Sequence, residues 1–296
     1  MTTAAEPAAD ARRGVALMVL TMMVFAAQDG ISKYLAERYS VVFITMIRYW
    51  AVAVVVVALT SLRAGGLRRA VATRRPWLQA FRGALLALEI VVMVSAFALL
   101  GLVESHAVFV IYPLIVTALA GPVLGERVGW RRWAAVGAGF VGVLVILRPG
   151  LRVFDPLALI PLLAAAMFAV YHLATRYVGR EDPATTSFFY TGVAGAAFIT
   201  LLGPFFWTPM VGWDWAWMGL LALTGMTGHY LLISALEAAE ASVVQPFTYL
   251  QLVFASLIGV AVFGEAMDAA TVAGAAIIVA AGLFAIWRQR VGAGAG

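Results

Sequence analysis

Phe25-Ala26-Ala27-Gln28-Asp29-Gly30-Ile31-Ser32-Lys33-Tyr34 lies inside a long apolar run. Phe168-Ala169-Val170-Tyr171-His172-Leu173-Ala174-Thr175-Arg176-Tyr177 repeats its pattern 143 residues later. Phe, Ala and Tyr are identical at matching places, and Ser-Lys is answered by Thr-Arg. Two more blocks follow in the same order. Ser105 and Tyr112 match Ser242 and Tyr249 at an offset of 137, and Gly125-Glu126 matches Gly264-Glu265 at 139. Ser, Tyr and Gly are common in such runs, so the order and the similar offsets carry the inference: the chain is an internal repeat.

The solvent for this repeat follows from composition. Of 296 residues, 64% are hydrophobic and only 12% charged, with a mean hydropathy of +0.97. A soluble domain is about half apolar and a quarter charged, and one this long still shows much of its surface to water. The chain therefore uses lipid as part of its solvent, which excludes a soluble enzyme, a disordered chain and a nucleic-acid-binding domain. The pI of about 9.8 comes from arginines in short loops. With no cysteine there is no disulfide, thiolate site or cysteine nucleophile. Three scattered histidines predict no metal site. No Gly-x4-Gly-Lys-Ser/Thr loop is present to hold ATP. No cofactor is expected.

Apolar runs between charged or Pro/Gly breaks cover 14–35, 40–62, 77–100, 102–123, 130–147, 156–178, 184–207, 213–236, 241–263 and 269–287. About 20 apolar residues cross a bilayer as a helix, and none of these runs alternates as a barrel strand does. The prediction is an all-α integral membrane protein with ten transmembrane helices. Arg12, Arg13, Arg63, Arg68, Arg69, Arg74, Arg75, Arg127, Arg131, Arg132, Arg176, Arg180, Arg288 and Arg290 fall on one side, against Arg38, Arg148 and Arg152 on the other. The basic side is cytoplasmic by the positive-inside rule, which puts both termini inside. Trp207, Trp213, Trp215 and Trp217 mark the opposite interface. The organisation read from this is a cytoplasmic tail at 1–13, a first five-helix repeat at 14–147 and a periplasmic connector at 148–155. A second five-helix repeat follows at 156–287, then a cytoplasmic tail at 288–296.

Five is odd, so the second repeat is inverted in the membrane. Inverted repeats around a midplane site are the architecture of secondary transporters, whose halves rock to expose the site to each side in turn. Two five-helix halves, each ending its fourth helix with Gly-Glu, resemble the EamA type of the drug/metabolite transporter superfamily. Ala-Leu at 235–236, Tyr112-Pro113 and the run Gly137-Ala138-Gly139-Phe140-Val141-Gly142 belong to the same pattern, and the resemblance covers about residues 12–288. It implies a ten-helix exporter of small metabolites, amino acids above all, in a bacterial inner membrane. One departure stands out: Leu252 occupies the place of Pro113, with the second proline displaced to Pro246. The two fourth helices are therefore expected to bend at different depths.

Residues at i, i+3, i+7 and i+14 share a helix face, and polar side chains avoid lipid. Ser242, Gln245, Tyr249 and Ser256 form one stripe and Ser105, Phe109 and Tyr112 its counterpart. Thr21, Gln28 and Ser32 are answered by Phe168, Tyr171 and Thr175. From these, Gln28, Ser105, Tyr112, Tyr171, His172, Ser242, Gln245 and Tyr249 are the candidate substrate-binding residues. Helix-to-helix hydrogen bonding at about 0.6 kcal/mol each is the plainer reading of any single Ser or Thr. The intramembrane charges are Asp29, Lys33, Arg48, Arg82 and Glu89. Four residues apart, Asp29 and Lys33 are expected to pair, as is Glu89 with Arg48 or Arg82. Such pairs either hold helices in register or recognise a zwitterion or carry a proton, and both readings stay open. Pro113 is expected to kink the fourth span and free a carbonyl. Glu126 and Glu265 are expected to cap helix or loop termini.

The expected function is secondary transport of a small molecule, led by aromatic or other large hydrophobic amino acids. Purines, nucleotide sugars, lipophilic cations, a membrane enzyme and a non-transporting subunit are the alternatives. The expected partners are the lipid bilayer and the solute, with no nucleic acid and a monomeric chain.

Overall fold

The computed structural model describes residues 6–62, 66–125, 129–147 and 156–293. Arg63, Glu126, Arg127, the 148–155 connector with Arg148 and Arg152, and the side chains of Arg131, Arg132, Ser242, Gln245, Arg288 and Arg290 lie outside the described residues. Among those described, the chain is helical, with no strand. The first half contains α1 (Glu6–Ala36), α2 (Val41–Ser61), a short α3 (Gly66–Ala70), α4 (Pro76–Leu100), α5 (Leu102–Phe109), α6 (Tyr112–Leu124) and α7 (Trp130–Leu147). The second contains α8 (Leu159–Val178), α9 (Ala184–Thr200), α10 (Asp214–Ala238), α11 (Ala241–Val244), α12 (Leu250–Phe263) and α13 (Ala269–Ala293). Among the described residues, six stretches are long and apolar enough to cross a membrane: 11–36, 41–61, 76–100, 102–124, 156–178 and 214–238. Two shorter apolar ones follow at 247–263 and 269–281.

Helix pairing repeats between the halves. α1 packs on α10 and α12; correspondingly α8 packs on α4 and α6. α4 packs on α9 as α10 does on α2, while α2 meets α9 and α7 meets α13. Exchanging α1 with α8, α2 with α9, α4 with α10, α6 with α12 and α7 with α13 maps this set of contacts onto itself. The sequence repeat is thus matched by a repeat in packing.

The boundaries differ from the sequence reading at several places, and α13 runs on to Ala293 rather than ending at 287. α1 starts at Glu6 rather than 14, because Ala8, Ala9 and Ala11 are strong helix formers even where the chain is not apolar. The helix predicted for 184–207 stops at Thr200, and a 3₁₀ turn spans Gly203–Phe206, where Gly203, Pro204 and Pro209 break the helical pattern. The fourth spans are interrupted in both halves. α5 ends at Phe109, Val110 and Ile111 form a turn, and α6 begins at Tyr112 with Pro113 in its first turn. A proline there loses no intrahelical bond, so Pro113 starts a helix rather than kinking a continuous one. In the second half, a 3₁₀ segment over Gln245–Tyr249 carries Pro246 between α11 and α12. The displaced proline gives a longer irregular stretch in place of a two-residue turn.

Candidate functional site

A cavity at the centre of the bundle is lined from α1, α2, α4, α5, α8, α10 and α12. Its polar wall is Gln28, Asp29, Arg48, Glu89, His106, His229 and Gln251; its apolar wall includes Phe25, Met93, Phe97, Phe109 and Phe168. Arg48 donates from Nη2 to Gln28 Oε1 at 3.1 Å. Gly225 makes room for that guanidinium, since a Cβ there would lie 2.7 Å from Arg48 Nε. Gln251 Nε2 donates to Asp29 Oδ2 at 2.9 Å, and His106 Nε2 stands 3.1 Å from the same oxygen. That second approach is close enough for an ion pair with protonated His106 but is off the line of a hydrogen bond.

Besides His106, three polar groups on this wall keep unused capacity. Glu89 is 3% exposed, yet no hydrogen bond or ion pair within the described residues reaches its carboxylate. Neither ring nitrogen of His229 and not the Oε1 of Gln251 has a hydrogen-bond partner. A buried polar group without a partner is costly, so the cavity is built to receive something polar. Two carboxyl groups and one guanidinium share its wall. The phenyl rings around them favour a flat or cationic guest. The accessible space is only about 40 Å³, enough for a few waters, whereas sites for small molecules run to about 300–1,000 Å³. The cavity is therefore small for a solute of that size.

A charged contact closes the bundle at the Lys33 end. Lys33 forms an ion pair with Glu265, just past α12, and the carboxylate also accepts from the backbone N–H of Leu102 at 2.9 Å and Val103 at 2.8 Å. Glu265 therefore caps the start of α5 while pairing with α1. The sequence expected Lys33 to hold Asp29. In the structure Lys33 turns to Glu265, and Asp29 is left for Gln251 and His106. The capping role expected of Glu265 is present; Glu126 lies outside the described residues. Gly101 holds φ at 84° just before the cap, where a side chain would be strained and would meet the carboxylate. Burial pushes the Glu265 carboxyl up, but the hydrogen bonds from Lys33 and the two amides outweigh it and hold it below the usual carboxylate range.

Residues 12–148 and 156–287 match the EamA-like transporter family. The chain belongs to that family. It is 25% identical over 277 residues to an S-adenosylmethionine uptake transporter of Rickettsia prowazekii, covering 94% of this chain and 93% of that one. A riboflavin transporter of Rhizobium johnstonii is 34% identical over 220 residues, 73% of this chain and 72% of that one. A pseudopaline exporter of Pseudomonas aeruginosa is 25% identical over 274 residues, 91% and 94% of the two chains. A solved crystal structure shares the fold, with a TM-score of 0.72 at 21% identity over 93% of this chain and 98% of that chain. This EamA-like chain is thus a multi-pass membrane protein of a bacterial family of small-solute transporters. The names of these relatives speak of transport rather than catalysis.

Of the residues singled out in the sequence, Gln28, Asp29, Arg48 and Glu89 meet at the cavity. Arg82 does not join Glu89. It is fully buried one helix face away, donating to Gln79 Oε1 at 2.9 Å, Tyr171 Oη at 3.1 Å, Thr175 Oγ1 at 3.1 Å and the Ser187 carbonyl. Tyr171 is thereby committed to Arg82. Tyr112 and His172 pack behind the cavity against Phe168, at ring distances of 5.0 and 4.5 Å. Ser105 is buried away from it, and Tyr249 sits among Val110, Leu114 and Leu252 between the two interrupted spans. The side chains of Ser242 and Gln245 lie outside the described residues. His106 and Gln251 were not among the candidates. The signal was a polar residue in each interrupted fourth span, beside the Ser and Tyr that drew attention.

Proposed function

We propose that this EamA-like chain is a secondary transporter that passes a cationic or zwitterionic solute bearing a flat ring through the Asp29–Glu89 cavity. Glu89 carries the reading: a buried carboxylate without a partner, faced by aromatic rings, suits an ammonium or sulfonium centre. S-adenosylmethionine has both, together with an amino-acid head that Arg48 and Asp29 are placed to grip, and an S-adenosylmethionine uptake transporter is among the chain's relatives. An aromatic amino acid, the class expected from sequence, is the narrower fit to the same groups. Riboflavin lacks a cationic centre for Asp29 and Glu89 to meet.

The reading includes ten spans as two inverted five-helix halves, with both termini cytoplasmic, in the bacterial inner membrane. Arg12, Arg13, Arg68, Arg69, Arg74, Arg75, Arg176 and Arg180 gather at one end, which supports that orientation. Alternating access moves a solute in either direction, and the gradient sets export or uptake. Counterflow into proteoliposomes with labelled S-adenosylmethionine, phenylalanine and riboflavin tests it. Exchange of the first, lost by about 10- to 150-fold in Glu89→Gln, is the expected result, since a charge-assisted contact is worth about 1.5–3 kcal/mol. Exchange of riboflavin alone, unchanged in that variant, overturns it.

A further inference from the structure

On the lipid-facing flank of the bundle, α2, α9 and α10 leave an open groove of about 390 Å³. It shares no residue with the central cavity. Val56 forms its floor, Phe188 and Tyr230 meet edge to face across it at 5.5 Å, and Leu59 and Leu223 stand more than half exposed at its rim. Hydrocarbon, not water, is the medium that fills such a surface inside a bilayer.

The groove runs to the end of α2 and the start of α9, where Thr60 and Thr185 line its mouth. There α3 packs against both helices and carries Arg68 and Arg69, both exposed. No carboxylate among the described residues is within ion-pair reach of either. Arg75 nearby is different, being held by Glu181 at 3.2 Å. Unpaired cations at one end of an apolar groove are complementary to one kind of occupant, an anion with a hydrocarbon tail. A transmembrane partner helix fits the groove but gives the two arginines no counter-charge.

We propose that α3 and the α2–α9–α10 groove together form a binding site for an anionic phospholipid. Its acyl chain lies against Phe188, Met226 and Leu223, and its phosphate sits at Arg68 and Arg69. Basic residues at a membrane surface each favour anionic lipid by a small, additive amount, so the pair supports a preference of about tenfold over a zwitterionic lipid of the same chains.

Native mass spectrometry of the full-length purified protein, given equal phosphatidylglycerol and phosphatidylcholine of matched chains, tests the site. The expected result is about tenfold more retained phosphatidylglycerol, one molecule per chain. Arg68→Gln with Arg69→Gln should bring the two lipids to parity. Thr227→Trp, at an exposed rim position, should fill the groove and expel both without lowering the unfolding temperature. Equal retention by the unaltered protein overturns the proposal, as does a preference that survives both variants. Displacement by glycerol phosphate alone overturns the groove's part in it. A dimer that Thr227→Trp dissolves would assign the groove to a second copy instead.

Discussion

At the Lys33 end of the bundle, two carboxylates hold the halves together: Glu265 ties α1 through Lys33 and α5 through two backbone amides, and Asp214 accepts from Tyr34 at 3.1 Å and Tyr39 at 2.8 Å. At the Arg176 end the task is spread over several groups. Arg176 donates to the Leu236 carbonyl at 3.0 Å and Arg180 to that of Leu124 at 2.6 Å. Asp182 accepts from Thr73 at 2.5 Å and Gln79 at 2.8 Å, and Arg82 joins α4, α8 and α9. Helix C-termini there take guanidinium donors, as their orphan carbonyls favour. Glu265 alone carries the charged contacts of the Lys33 end to α1 and α5, so that end is expected to open first.

The largest effect should come from Arg82. Arg82→Leu leaves Gln79, Thr175 and the Ser187 carbonyl buried without their donor, and should cost about 3–5 kcal/mol, read as a fall in unfolding temperature in detergent. A loss under 1 kcal/mol would remove the claim that this end is the rigid one.

Next is Glu265→Ala. The chain has no cysteine, so a single Met93→Cys in the cavity reports access cleanly. Two charge-assisted bonds to amides and one to Lys33 are worth roughly 2–3 kcal/mol at this half-buried position, so maleimide labelling from the Lys33 side should rise about 30- to 100-fold. Arg176→Ala should raise labelling from its own side only a few-fold. Equal effects at the two ends would erase the contrast.

Acid should loosen the Lys33 end. Because the folded Glu265 carboxyl is held low, its contribution is present above the unfolded pKa of about 4.5 and is lost only as pH falls through the lower folded value. Labelling from the Lys33 side, divided at each pH by that of the Glu265→Ala chain to cancel the titration of the thiol itself, should be flat from pH 8 to 5 and rise below that range. A rise centred near neutrality would assign the closure to another group.

The smallest effect is expected from Gly225→Ala, whose Cβ presses on the Arg48 guanidinium. Displacing it from Gln28 should reduce transport two- to fivefold, with overpacking of about 1–3 kcal/mol, and leave labelling at both ends unchanged.

The helical class, the family and four of the cavity residues were legible in the sequence because burial of charge in lipid is rare and each such residue declares itself. Partner choice was not legible. Asp29 and Lys33 sit one turn apart and satisfy the local pairing rule, but Glu265, 232 residues on, offers Lys33 a carboxylate already held by two amides. Arg82 and Glu89, nearly two turns apart on α4, face different neighbours because Ser187 and Tyr171 draw the guanidinium outward along α4. Tyr112, Tyr171 and Tyr249 are buried, yet helical spacing does not tell the cavity from the packing layer behind it. His106 and Gln251 could not be weighted without the turn at Val110–Ile111 and the 3₁₀ segment before α12, which set the facing of those spans.

The central claim is that a solute binds between Asp29 and Glu89, and protection of Met93→Cys tests it most directly. With S-adenosylmethionine, phenylalanine and riboflavin each added in turn, whichever solute undergoes counterflow should slow maleimide labelling at least about tenfold, and Glu89→Gln should abolish the protection. Active counterflow with labelling unchanged by the transported solute would place the path elsewhere and contradict the account.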